Sequence, residues 1–136
     1  MKIVIDSNVL FSALIKDALT RRLILEYEDE FLFPQYIFEE MQKHKKRLLK
    51  KSKMNEEEFS ELLDIILRKV IIIPTEHLKT KEKEAKDLAQ DIDPDDALFF
   101  ATALTHNAII WSDDKALKKQ KQVKIINTKE MKEVYD

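Results

Sequence analysis

The sequence predicts an α/β fold, a three-layer α/β/α sandwich built on a five-stranded parallel sheet. Five short apolar runs carry that reading, each β-branched or aromatic and each bounded by Asp, Pro or Asn. Their apolar character is continuous rather than alternating, which suits strands buried on both faces. Helix-period stretches separate them and are long enough to serve as crossovers between parallel strands.

The strands are expected at Lys2–Asp6, Phe31–Phe33, Val70–Ile73, Ala108–Ser112 and Val123–Asn127. Leu19, Leu23, Ile24 and Tyr27 form a short helical stripe after the first of them. Ile37, Met41, His44 and Leu48 mark one face of a helix that begins near Pro34. A longer stripe of Phe59, Leu62, Leu63, Ile66, Leu67 and Val70 follows an acidic start at Glu56–Glu58. Pro94 opens a further helix through Phe99, Phe100 and Ala103 that ends at Asn107, the best glycine substitute in a left-handed cap. Glu76–Glu84 is the most polar stretch and is expected to be a mobile loop.

At 136 residues, 1–136 reads as one domain with enough chain to bury a core, and 44% of it is hydrophobic. Charged residues make up 37%, yet the formal net charge is only −2, so attraction to any partner must come from local patches. The chain has no cysteine, which excludes disulfides, thiol nucleophiles and thiolate zinc sites. It has no glycine either, which excludes dinucleotide fingerprints and P-loops. No stretch approaches the ~18 apolar residues of a membrane span. The apolar start carries Asp6 and Asn8 and does not read as a signal peptide, so a cytoplasmic protein is expected.

Ligands of open parallel sheets bind beyond the carboxyl ends of the strands. Acids gather there: Asp6 ends the first strand, and Asp113 and Asp114 follow the fourth. Asp93, Asp95 and Asp96 crowd the start of the helix feeding that fourth strand, and Glu39 and Glu40 sit on the helix after the second. Carboxylates brought together repel one another unless a cation compensates them. Oxygen ligands without cysteine favour Mg2+ or Mn2+, ions that activate water against a phosphodiester. Plain alternatives exist for most of these acids. Asp93-Pro94-Asp95-Asp96 is a good helix start by itself, and Asp113 and Asp114 suit the start of a short helix at Lys115–Lys119. Asp6 is harder to dismiss, since a charge directly after Ile3–Ile5 is costly without a partner.

Taken together these positions resemble the PIN-domain family, including its VapC-like ribonucleases. Ile3-Val4-Ile5-Asp6-Ser7-Asn8-Val9-Leu10 looks like the family's opening strand, aspartate and helix start. Glu40-Met41 resembles its second acid. Asp96-Ala97-Leu98-Phe99-Phe100-Ala101-Thr102-Ala103-Leu104, followed by Ala108-Ile109-Ile110-Trp111-Ser112-Asp113-Asp114, resembles the third and fourth. The resemblance implies Asp6, Glu40, Asp96 and Asp114 as catalytic, metal-holding acids, with Asn8 and Ser112 in support and Asp113 at a variable position. It implies Mg2+- or Mn2+-dependent endoribonuclease activity on RNA and a sheet ordered 3-2-1-4-5. Many such proteins are toxins paired with an antitoxin, so an antitoxin partner and a homodimer are also implied. Spare apolar residues between Leu48 and Ile72 offer surface for the homodimer.

Lys43 to Lys53 carries seven Lys or Arg residues and no acid, beginning three residues after Glu40. Lys43, Lys45, Lys46 and Arg47 are therefore expected to contact RNA, against the alternative of a solvated helix face. His44, His77 and His106 lack ligand spacing and read as surface or cap residues. Trp111 reads as core, and packing is the better reading for Tyr36 and Phe38 than base stacking.

Two other functions fit parts of the pattern. A haloacid-dehalogenase-type phosphatase would use Asp6 and Asp113-Asp114, but it wants a second aspartate where Asn8 stands. A PIN-like RNA-binding protein with little catalysis would have no need of four clustered acids.

Overall fold

The computed structural model describes residues 1–15 and 18–135. Strands β1 (Lys2–Ile5), β2 (Glu30–Pro34), β3 (Val70–Ile73), β4 (Ile109–Trp111) and β5 (Ile125–Ile126) form one sheet in the order β3-β2-β1-β4-β5. Every pairing is parallel. Ile3, Val4 and Ile5 of β1 are fully buried, as are Phe31 and Phe33 of β2, which is why these runs carry no polar alternation. The edge strand β3 is looser, with Ile71 exposed.

Helices cover both faces. One group consists of α5 (Glu82–Ala89) and α6 (Ala97–His106) with a 3-10 segment at Thr75–Lys81, and α6 lies against β1, β2 and β4. In the other group α1 (Ser7–Ile15) meets α2 (Ala18–Glu26), α3 (Ile37–Ser52) and α4 (Glu56–Leu67), while α2 meets α7 (Thr128–Tyr135). No helix among the described residues is long and apolar enough to cross a membrane.

Most expected elements appear within a residue or two of their anticipated ends. Val70 belongs to β3 rather than to the preceding helix, and the last strand shrinks to Ile125–Ile126. The segment Glu76–Glu84 is not a loop. Thr75–Lys81 is 3-10 helix and α5 follows at once, with Leu78, Ala85 and Ala89 buried against α6. Its contact residues are few and mostly alanine, so Lys and Glu dominate the composition and hide the buried face.

The order in which strands are added reverses at β1. β2 and β3 lie to one side and β4 and β5 to the other, so the switch point falls between β1 and β4. Ile5 pairs with Trp111, which sets Asp6 and Ser112 side by side at the carboxyl ends. This crevice is where an open parallel sheet binds its ligand.

Without glycine the chain still needs left-handed helix ends. Asn107 provides one at φ 52°, ψ 49° after α6, and Lys53 another at φ 60°, ψ 15° after α3. Asparagine tolerates this region, whereas a Cβ-bearing lysine is strained there. Asn107→Ala should lower unfolding stability by about 1 kcal/mol, and Lys53→Gly should raise it by about 0.5 kcal/mol. Urea denaturation reads both, and a loss of stability in Lys53→Gly would contradict the strain argument.

Candidate metal and nucleic-acid site

Asp6 leaves β1 directly into α1, whose first N–H groups point at it. The residue is only 6% exposed. It accepts a 2.6 Å hydrogen bond from the Ser112 hydroxyl and further bonds from the backbone N–H groups of Ser7 and Asn8. Burial nevertheless pushes its pKa upward, and the nearby Asp114 carboxylate adds to the rise. Ser112 also accepts from the Asp114 backbone N–H at 3.1 Å, so one hydroxyl ties the ends of β1 and β4 together.

Asp96 stands at the start of α6 but makes no capping hydrogen bond. Asp93 takes the capping role for the 3-10 turn Pro94–Asp96, accepting from the Asp95 N–H at 3.0 Å. The helix-start reading therefore holds for Asp93 and leaves Asp96 free. Burial, with repulsion from Asp6, Asp93, Asp114 and Asp95, pushes the Asp96 pKa up to about 7.

Glu40 comes from α3. The Tyr36 hydroxyl donates to it, and this bond, with burial and nearby acids, holds the phenol pKa at about 12. His44 Nε2 lies 3.5 Å from the same carboxylate, and its ring meets Phe11 edge-on at 5.6 Å. Glu40, Lys43, His44 and Arg47 sit at i, i+3, i+4 and i+7, so one helix face carries all four.

Asp6, Asn8, Glu40 and Asp96 line one cavity of about 290 Å³, together with Lys43, His44 and Arg47. Asp93 and Asp95 line it as well. Asp114 does not line it. That side chain borders the neighbouring hollow beside Ser112 and caps Lys115–Lys119 by accepting from the Ala116 N–H at 3.0 Å. Asp114 still acts on both Asp6 and Asp96 through its charge. Asp113 points elsewhere and accepts from both the backbone N–H and the hydroxyl of Thr128 at the start of α7.

Among the expected RNA contacts, only Lys43 and Arg47 line the cavity. Lys45 turns toward α4 and pairs with Glu56 at 3.6 Å, and Lys46 is exposed outside the lining. His44 is no surface bystander, since it lines the cavity beside Glu40; its i+4 spacing from that glutamate was the available signal. Trp111 is core as expected, whereas Phe38 is exposed rather than packed. Ser7, named only within the opening motif, has a hydroxyl that is buried in the cavity wall and has no partner among the described residues.

The donor set suits a hard divalent cation. It is all oxygen, two of its carboxyls resist ionisation, and the Ser7 hydroxyl stands unpaired beside them. Among the described residues no three acidic or histidine side chains are grouped tightly enough to hold an ion between them. The fit therefore rests on donor chemistry and mutual repulsion rather than on a preformed cage.

A family model for the PIN domain matches residues 4–135. The chain belongs to the PIN-domain family. Members of that family are generally nucleases, and the acids of this PIN domain lie where its sheet reverses. No curated protein matches the sequence significantly. Among solved structures, the fold is similar to a chain in the crystal structure of VapBC2 from Rickettsia felis bound to a DNA fragment from their promoter. The TM-score is 0.70 at 18% identity, covering 93% of this chain and 98% of that one.

The raised Asp96 pKa makes stability pH-dependent. Its proton is bound more tightly in the folded than in the unfolded chain, so the stabilisation is full below about pH 4 and lost as pH rises through 7. Asp96→Asn removes the costly charge. Metal-free, it should be more stable than wild type by about 1 kcal/mol above pH 7, after discounting for solvent screening. That advantage should fade as the pH falls from 7 toward 4. A variant less stable than wild type at pH 8 in EDTA would show the charge to be compensated already.

Proposed function

We propose that this PIN domain is a metal-dependent endoribonuclease that hydrolyses RNA phosphodiester bonds. The observation that carries the reading is the convergence of Asp6, Glu40 and Asp96, from three separate elements, on one cavity that also holds Lys43 and Arg47. Asp6, Glu40 and Asp96, with Asp114 at the border, would hold Mg2+ or Mn2+. Such an ion supplies Lewis acidity toward the phosphodiester and lowers the pKa of a water.

The chain's own groups supply the rest. Lys43 and Arg47 attract the phosphates, Arg47 being able to grip one with two parallel N–H bonds. Ser112 holds Asp6 in one orientation, and Tyr36 and His44 do the same for Glu40. Asn8 offers an amide at the cavity wall.

The phosphatase alternative loses support from the bonding of its paired aspartates. Asp113 is occupied at α7, and Asp114 caps the 3-10 segment after β4. A non-catalytic RNA-binding scaffold would gain nothing from carboxyls that repel one another. We further read the chain as the toxin of a toxin–antitoxin pair, a homodimer opposed by a small antitoxin protein. Support comes from the family and from the likeness to a VapBC2 chain.

Lys43→Ala with Arg47→Ala should weaken single-stranded RNA binding and reduce the salt slope by about 0.7 per lost contact. Lys45→Ala with Lys46→Ala should change the slope far less, because Lys45 already serves Glu56. Equal effects from the two pairs, measured by fluorescence anisotropy across a salt series, would return the whole strip to a solvated face.

Asp6→Asn and Asp96→Asn should each reduce Mn2+-dependent RNA cleavage by about 100-fold or more, the scale of a lost metal contribution. Mn2+ should raise the wild-type melting temperature and act less on either variant, since binding to the folded state alone stabilises it. Asp113→Asn should keep its activity while losing about 1 kcal/mol of stability through the weakened α7 cap. An unchanged cleavage rate and metal response in Asp6→Asn would end the metal-nuclease reading.

A further inference from the structure

A second cavity adjoins the acidic one. It measures about 450 Å³, within the range of sites that take small molecules (about 300–1,000 Å³). Tyr36, Pro94 and Leu98 line it with Leu78, Ala97 and Ala101, so much of the lining is apolar. Asp95 lines both cavities, so the two are neighbours. Tyr36 is tethered through its hydroxyl to Glu40, so its ring is held before any ligand arrives.

One side of this groove is rich in lysine, with Glu82 and Asp87 among the lysines. Lys79 and Lys86 line it and continue with Lys83 into an adjoining hollow. Lys86 is taken by Glu82 at 2.8 Å. Lys79 and Lys83 form no ion pair among the described residues, although Lys79 lies near enough to Glu82 to act on its charge. The neighbouring cavities thus present carboxylates, an aromatic and apolar trough, and two lysines outside any ion pair among the described residues. Those features match the chemistry of one nucleotide step: a phosphate at the acids that would hold a cation, a base, and the next phosphate.

We propose that this groove is a subsite for an unstacked nucleobase of single-stranded RNA, with Tyr36 against the base and Lys79 and Lys83 at the following phosphate. The subsite rests on the ribonuclease reading for its location beside the cut. Apolar and aromatic lining favours a base because every base has a stackable face, and loss of one stacking contact weakens binding without regard to sequence. Bases inside a duplex cannot enter, so the groove selects single strands.

The test uses the full chain in EDTA, where binding is read without cleavage, and hexaribonucleotides in which one abasic position is scanned along the strand. Wild type should bind the intact strand about 10-fold more tightly than the abasic strand that empties the groove. Tyr36→Leu should erase that difference, and Tyr36→Phe should keep it, because stacking needs the ring and not the hydroxyl. Lys79→Glu with Lys83→Glu should weaken binding about 10-fold at low salt. These two lysines are exposed, so the pair also serves if Tyr36→Leu fails to fold.

Equal affinity for intact and every abasic strand, or a base preference untouched by Tyr36→Leu and the lysine pair, would overturn the subsite. The latter result would leave the groove to a protein segment instead. Mn2+-dependent cleavage measured in parallel separates the two readings. Base-dependent binding without cleavage supports the subsite and removes the nuclease, whereas cleavage with base-indifferent binding does the reverse.

Discussion

A carboxylate at the end of a fully buried strand is the constraint on which the rest of this structure turns. Taking such a charge out of water costs several kcal/mol unless donors surround it. Asp6 finds them in the Ser112 hydroxyl and the backbone N–H groups of Ser7 and Asn8. The first requires β1 and β4 to be neighbours in the register that pairs Ile5 with Trp111. The others require α1 to begin at Ser7. Sheet order, strand register and helix start are thus tied to one side chain. Even so the donors do not fully compensate its burial, because its pKa remains raised.

Asp96 compounds the imbalance. It could have served as an ordinary cap, yet Asp93 does that work and Asp96 faces the same cavity as Asp6. A fold that keeps these groups close holds electrostatic free energy that a cation releases on binding. Recognition here also has to run through side chains. Nucleotide sites often cradle phosphate in a glycine-rich backbone nest, and a chain without glycine has no such loop. In the proposed nuclease, Arg47, Lys43 and the acids would be what remains to handle a phosphodiester. The same lack of glycine puts Asn107 and Lys53 into left-handed caps, one chemically suited to the role and the other not.

Several of these features were legible in the residues alone. Buried parallel strands announce themselves as unbroken β-branched runs, so Lys2–Ile5 was readable almost to the residue; Val70–Ile73 was too, although only Ile73 of that edge strand is buried. Crossover length and the acids at strand ends gave the parallel sheet and the cluster at its switch point. What stayed hidden depends on direction and distance. α5 buries mainly alanines, which carry little hydropathy signal beneath a lysine-rich surface. The basic strip looked uniform in one dimension, but a 100° turn per residue sends Lys43 and Arg47 into the cavity and Lys45 toward Glu56. Asp114 could not be resolved between cap and cluster; it caps Lys115–Lys119 from outside the cavity, while its charge reaches Asp6 and Asp96.

That helix face has a consequence for how charge works in the site. With a net charge of only −2, the chain exerts little long-range pull on a polyanion. Glu40 and His44 share their face of α3 with Lys43 and Arg47, and the cavity they line also carries Asp6 and Asp96. Without a cation, the carboxylates would oppose the phosphates of a proposed RNA that the lysine and arginine would attract, and within a Debye length of about 8 Å the two effects are felt together. A bound divalent ion would cancel the repulsion and leave the attraction standing. In the proposed nuclease, cation binding and RNA binding would then be linked, each strengthening the other by the same factor, as thermodynamic reciprocity demands. The crowding that makes the metal-free cavity unfavourable would be the physical source of that cooperation.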